Sequence, residues 1–436
     1  MAIRALETPK KYFWGLASKY PDAILNSSID TLGLLASMLK ELRNIADVHA
    51  DNFKSEGFSE LWAMLKRELT DEYLANIQTH LKELKFRDGV LVSAGLGKGN
   101  KGINYVLRKL EQGKWSWMRR MLPQTTWERV KQVLPQAGPI YSFTLHPRDE
   151  GGARALSELK ERGIHLVANA LAQSTDHVLS FFEMLRTELA FYVGCLNLHE
   201  RLVQKGEPTC FPVPAISGER RHSFKGLYDV CLTLSQKQRV VGNDLNADEK
   251  GLAIITGANT GGKSTFLRSI GLSQLMMQCG MFVSAESMSA NLADGLFTHY
   301  KREEDVTMES GKLDEELGRM SGIVNRIGPN AMLLFNESFT ATNEREGSEI
   351  ARQIVSALLE NRMKMFFVTH LYTFAHQIFD QKLQNSIFLR AERQSDGTRT
   401  FKLLKGEPLQ TSYGEDLYLM LQTCKQRSSD CSKRIS

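Results

Sequence analysis

A short apolar strand, LAIIT (residues 252–256), runs through a glycine-rich loop straight into a helix, and that succession constrains the fold more than anything else in the chain. The loop and helix start, GANTGGKS (residues 257–264), match G-x-x-x-x-G-K-[ST] at each fixed position. An accidental glycine-rich turn would not need both flanking elements. The pattern predicts an α/β sheet whose loop cradles phosphates with inward-pointing backbone N–H groups, helped by the helix N-terminus. Gly257, Ala258, Asn259, Thr260, Gly261, Gly262, Lys263, Ser264 and Thr265 are the expected ATP-binding residues. Lys263 would supply a point charge to the β- and γ-phosphates, and the Ser264 hydroxyl an inner ligand of Mg²⁺.

Two further apolar runs end in reactive side chains. AMLLF (residues 331–335) leads into Asn336 and Glu337. In P-loop ATPases a strand of this kind ends in an acid that orients the magnesium shell, and a following Glu polarises the attacking water. Glu337 is therefore the expected general base. Asn336 stands at the acid's position and can accept a hydrogen bond without bringing charge. Weaker magnesium binding and slowed hydrolysis to ADP and phosphate follow; a domain that binds ATP and barely turns it over is the other reading. MFFVT (residues 365–369) ends in His370, which could hydrogen-bond a γ-phosphate from a strand's carboxyl end or be a satisfied structural histidine. Between these strands lies ESGKLDEEL (residues 309–317). There Ser310 is expected to cap a helix whose Leu313, Leu317, Met320, Val324 and Ile327 share one face. Such a helix start, Ser310 and Gly311, suits a γ-phosphate.

In order along the chain these motifs resemble the ATPase domain of the MutS family of DNA mismatch repair proteins. The run at residues 251–285 is similar to that family's P-loop, which reads G-P-N-M-G-G-K-S-T. The likeness continues through Phe297-Thr298, Ser310-Gly311, Asn336-Glu337, Thr342, Gly347, Thr369-His370 and Ser412-Tyr413-Gly414. It implies a C-terminal P-loop NTPase domain of the ABC-like MutS type, preceded by a mainly helical core and lever domain. It also implies head-to-tail dimerisation, with Ser310 and Gly311 of one subunit closing over ATP on the other. By the same resemblance Val241 and Asn243 fall where the family holds adenine, although the family's aromatic is Val240 here. An F-x-E, at Phe181 to Glu183, lies inside the expected lever helix. The chain is therefore expected to be a short form without the mismatch-reading and connector domains, acting on a DNA structure or junction.

With 436 residues, 42% hydrophobic and 24% charged, the composition is that of a globular protein of two or three domains. The boundary is expected in the Pro-, Gly- and charge-rich stretch at residues 205–222, giving a helical domain over 1–205 and the ATPase domain over 206–436. Residues 173–203 contain no Pro and one Gly, which predicts a helix of over ~40 Å, either a link between domains or a bundle helix. No apolar run is long enough for a membrane span, no secretory leader is evident, and the six cysteines are scattered without CxxC pairs, so the expected compartment is the cytoplasm. A net charge of +5 says little about nucleic acid. The stretch 98–131 says more. It holds nine Lys/Arg against two Glu, with Tyr105, Trp115, Trp117 and Trp127 interleaved. Lys98, Lys101, Arg108, Lys109, Arg119 and Arg120 are candidate DNA contacts; a solvated basic face with core tryptophans is the other reading. These features point to an ATP-driven homodimer acting on DNA, with a possible repair protein as partner. The alternative is a nucleotide-driven protein-interaction switch with little DNA affinity. A transporter-type subunit lacks its expected L-S-G-G-Q.

Overall fold

The computed structural model of the chain describes residues 21–86, 91–98, 102–108, 150–301 and 311–410. By internal contacts it divides into two compact units, Met1–Phe191 and Tyr192–Ser436.

In the first unit α1 (Pro21–His49) packs against α2 (Glu56–Glu68) and α3 (Asp71–Leu84). Thr70 caps α3 by accepting the Tyr73 N–H. The hairpin β1 (Leu91–Leu96) and β2 (Gly102–Arg108) follows. The long helix α4 (Glu150–Gln204) then supplies Ile164 and Ala168 to a core with Leu25, Ile29 and Leu81, and Leu179 and Phe182 to another with Leu35.

The second unit is mixed α/β with two sheets. Four strands, in the order β3 (Val213–Ala215), β7 (Ser287–Asn291), β4 (His222–Leu227), β5 (Asn243–Asn246), form the smaller one. The larger runs β12 (Arg399–Lys405), β11 (Ser386–Arg393), β6 (Leu252–Gly257), β10 (Lys364–Val368), β9 (Met332–Asn336), β8 (Leu296–Tyr300). The last five are parallel and β12 is an antiparallel edge.

The apolar runs are continuous because both faces of the parallel strands are covered. Ala253, Ile255, Leu334, Phe366 and Val368 point into a core shared with Phe266, Leu267 and Ile270 of α6 (Lys263–Gln278) and with Phe224 and Met288 of the small sheet. Leu252, Ile254, Leu333, Phe335, Met365 and Phe367, their alternates, face α7 (Lys312–Val324), α8 (Glu344–Glu360) and α9 (Tyr372–Asp380). A six-residue helix, α5 (Val230–Ser235), lies between β4 and β5 and is capped by Asp229.

Helix α7 differs from its sequence pattern. Gly311, in extended conformation, is the N-cap residue, and the helix ends before Ile327. Its buried side chains are Glu316, Met320 and Ile323, whereas Leu317 and Val324 are exposed. Glu316 is buried on the inward face, and burial raises its carboxyl pKa, with the Arg319 charge and the Phe339 main-chain N–H opposing. Among the described residues no helix is long and apolar enough to cross a membrane, and Cys195, Cys210, Cys231 and Cys279 are free thiols.

Candidate functional site

Parallel pairing puts the carboxyl ends of β6, β10 and β9 side by side at one sheet edge, with Val368 level with both Ile255 and Asn336. Side chains just beyond those ends must meet there. On β6 the chain turns at Gly257, whose φ of 107° lies in glycine territory; a Cβ there would sit 2.8 Å from the Ala391 nitrogen on β11. The loop then wraps back to Gly262, the residue before α6.

Lys263 is 5% exposed and folds its side chain into this loop, Nζ donating to the carbonyl oxygens of Gly257 and Ala258, each at 2.9 Å. Burial pushes its pKa down to about 8; the nearby Glu337 carboxylate opposes the fall and the Arg399 guanidinium adds to it. An ammonium held by loop carbonyls alone is poised for a stronger acceptor. Next to it the exposed Ser264 donates from Oγ to Asn336 Oδ1 at 2.9 Å. The two oxygens so paired are donors suited to a hard cation, and Ser264 and Asn336 would hold magnesium through them.

Glu337 follows β9 with φ 53°, a left-handed conformation rare outside glycine, and Phe339 repeats it at 63°. The turn is over-determined. Glu337 N–H donates to Val368 O at 2.9 Å, and the buried Ser338 hydroxyl donates to His299 O at 2.7 Å. The turn directs the Glu337 carboxylate toward His370, Oε1 to Nε2 at 3.0 Å. That hydrogen bond is the main reason the Glu337 carboxyl is held below the usual carboxylate range; burial opposes it, and the charges of His370, Lys263 and Lys301 assist. An ionised carboxylate held beside the loop, with a hydrogen-bonding histidine, can accept a proton from water.

Two residues with no motif of their own also reach the loop, both from the edge strand β12. Arg399 donates from Nε to Asn259 O at 3.3 Å. Phe401 is 47% exposed and lies beside Gly262, its Cδ1 3.6 Å from where a Cβ on that glycine would be. Only the sheet order brings them there. Asn243 explains how β12 is held: its Nδ2 donates to Phe401 O at 3.1 Å and its Oδ1 accepts the Leu403 N–H at 2.8 Å. Both ends of that amide are thus spent on main chain. Val240 and Val241 line a separate cavity of about 460 Å³ with Tyr228, Arg239 and Lys402.

Of the remaining expected residues, Gly311 stands at the start of α7 and Ser310 lies outside the described residues. Lys98 is exposed and Arg108 ends β2, while Lys101, Lys109, Arg119 and Arg120 lie outside the described residues, as do the three tryptophans of that stretch.

Comparison with known proteins agrees with the motif order. The profile described as the MutS2 N-terminal domain matches residues 1–205, and that described as MutS domain V matches residues 253–426. A DNA mismatch repair protein MutS from Syntrophomonas wolfei is 30% identical over 233 residues, 52% of this chain and 27% of that relative. The Streptococcus mutans protein of the same name is 26% identical over 266 residues, 59% of this chain and 30% of the relative. Human MutS protein homolog 4 is 27% identical over 291 residues, 63% of this chain and 30% of the relative. Each match thus spans under a third of the relative's own length. Two profiles matching in succession, with relatives of one kind behind them, establish that the chain belongs to the MutS family.

Proposed function

We propose that this chain is an ATP-hydrolysing, DNA-associated homodimer, built from a P-loop NTPase domain over residues 206–436 and a helical core and lever domain over 1–205. The observation that carries the reading is the meeting, at one sheet edge, of a buried lysine in a glycine loop, a Ser264–Asn336 oxygen pair and a Glu337–His370 pair. In this reading the backbone N–H groups of residues 257–265 and the Lys263 ammonium bind the triphosphate of ATP. Ser264 and Asn336 would hold Mg²⁺, which would supply charge neutralisation at the phosphates. Glu337 takes the proton of the attacking water, and His370 holds that carboxylate ionised and in position. Ser310 and Gly311 of a second copy complete the site. Arg399 and Phe401 flank the nucleotide on the β12 side.

The test is Glu337→Gln. It should bind ATP like the parent while turnover falls by ~10²–10⁴-fold, the usual loss of a general base. Parental turnover in that variant would refute the assignment.

DNA enters through the relatives, two of which are named DNA mismatch repair proteins, and through the basic stretch 98–131. Gel shifts with homoduplex, mismatched and branched DNA, with and without ATP, should show binding that weakens steeply as salt rises. Absence of binding in every state would favour the protein-interaction switch instead.

A further inference from the structure

The large sheet has a second chemically loaded edge, at the amino ends of β9 and β10, opposite the glycine loop. A cleft there is lined by Arg220, His222, Asn291, Asn330, Arg362 and Lys364, with no acidic side chain among its lining. Water-sized molecules can be centred over about 30 Å³ of it, within about 370 Å³ of empty space once its open mouth is counted. That admits a small ion and excludes a sugar or a base.

The donors around it are under-used. His222 is 1% exposed, yet neither ring nitrogen has a hydrogen-bond partner among the described residues. Its ring is held between Phe224 and Phe366, with centroids 5.8 Å and 4.9 Å away. Burial keeps it neutral, with the Lys364 charge adding to the effect. Lys364 spends one of its donors on Ala247 O at 3.0 Å; burial, helped by the Arg220 charge, pulls its pKa down to about 7, and a bound anion would restore the full ammonium. Arg220 spends Nη1 on Arg362 O at 3.0 Å. The Arg362 guanidinium, exposed at the mouth, meets no acceptor among the described residues. Two carboxylates, Asp248 and Glu249, act on Lys364 from outside the cleft lining; Asp248 also accepts the His222 main-chain N–H at 2.6 Å, and Asp294 accepts from Asn330. The one buried imidazole N–H of neutral His222, without an acceptor and beside an open cationic rim, suits an acceptor from outside. Two guanidinium planes and an ammonium suit a tetrahedral oxyanion.

We propose that this cleft is a second anion site, taking a free phosphate-class oxyanion between Arg362, Lys364 and Arg220 with His222 at its floor. The proposal is independent of the nucleotide reading, because no residue is shared with the glycine loop.

The test is calorimetric titration of the full chain with inorganic phosphate in chloride-free buffer, in a Lys263→Ala background that disables the other phosphate-binding loop. One binding event should remain there. Adding Arg362→Gln should weaken it by roughly tenfold or more, as expected for a lost charge-assisted contact; the exposed position leaves the melting temperature unchanged. Arg362→Lys, which keeps the charge, should restore part of the affinity. The proposal is overturned if phosphate gives no binding event once Lys263 is removed, which would leave only water in the cleft. It is equally overturned if Arg362→Gln binds as its background does. ATP titrated separately into the parent and into Arg362→Gln reads the nucleotide site, so either site can fail without the other.

Discussion

Lys263 carries the clearest consequence at the scale of single residues. Its pKa of about 8 lies below the 10.5 of an exposed lysine. Between those values the folded chain binds fewer protons than the unfolded one, so this residue makes stability rise with pH across that window and contributes no slope below it. A triphosphate would reverse the depression by supplying the missing counter-charge. ATP binding should therefore take up a proton at pH 9 and almost none at pH 7, measured as a buffer-dependent binding enthalpy; equal uptake at both would remove Lys263 from the phosphates. Asn336 offers a second test. An aspartate there adds charge next to Ser264 Oγ, which now donates to the amide oxygen at 2.9 Å. Asn336→Asp should lower the Mg²⁺ concentration needed for half-maximal ATPase by several-fold to tenfold, about 1 kcal/mol of added attraction. An unchanged requirement would mean that the position does not address the metal.

Strands and helices show what a linear reading can and cannot reach. The runs that become β6, β9 and β10 are legible in the sequence because both faces of a covered parallel strand are apolar, and each run ends in the residue that chemistry needs. The loop is legible because its glycines and Lys263 follow local backbone rules. Arg399 and Phe401 are not. They come from an edge strand whose place beside β11, one strand removed from β6, is decided by sheet order, and no spacing within 399–405 announces it. Likewise the turned stripe of α7 puts Glu316 inside and Leu317 outside, which no spacing within 312–324 announces. Asn243 is the matching prediction for elements. Asn243→Ala leaves the Leu403 N–H without its acceptor and frees the Phe401 carbonyl, at about 1–3 kcal/mol for a buried group left unpaired. Thermal melting should fall accordingly, and ATP affinity should drop although Asn243 itself touches no phosphate. An unaltered affinity would separate β12 from nucleotide binding.

For the molecule as a whole, the proposed dimer closes on nucleotide. Sedimentation of Glu337→Gln should show the mass doubling when ATP and Mg²⁺ are added, and Lys263→Ala should stay at its nucleotide-free mass. Doubling in both would uncouple association from the loop. Within the second unit, β10 sets a fixed interval between two chemistries, Lys364 at its first residue and His370 two residues past its last. Sliding the strand by one position would swap Met365 and Phe367 with Phe366 and Val368 between opposite cores, and all four are fully buried. The strand thus works as a ruler of roughly 20 Å, at about 3.3 Å per residue. Substitutions that keep its side-chain volumes can change how tightly either end holds its anion, but not how far apart the two ends stand.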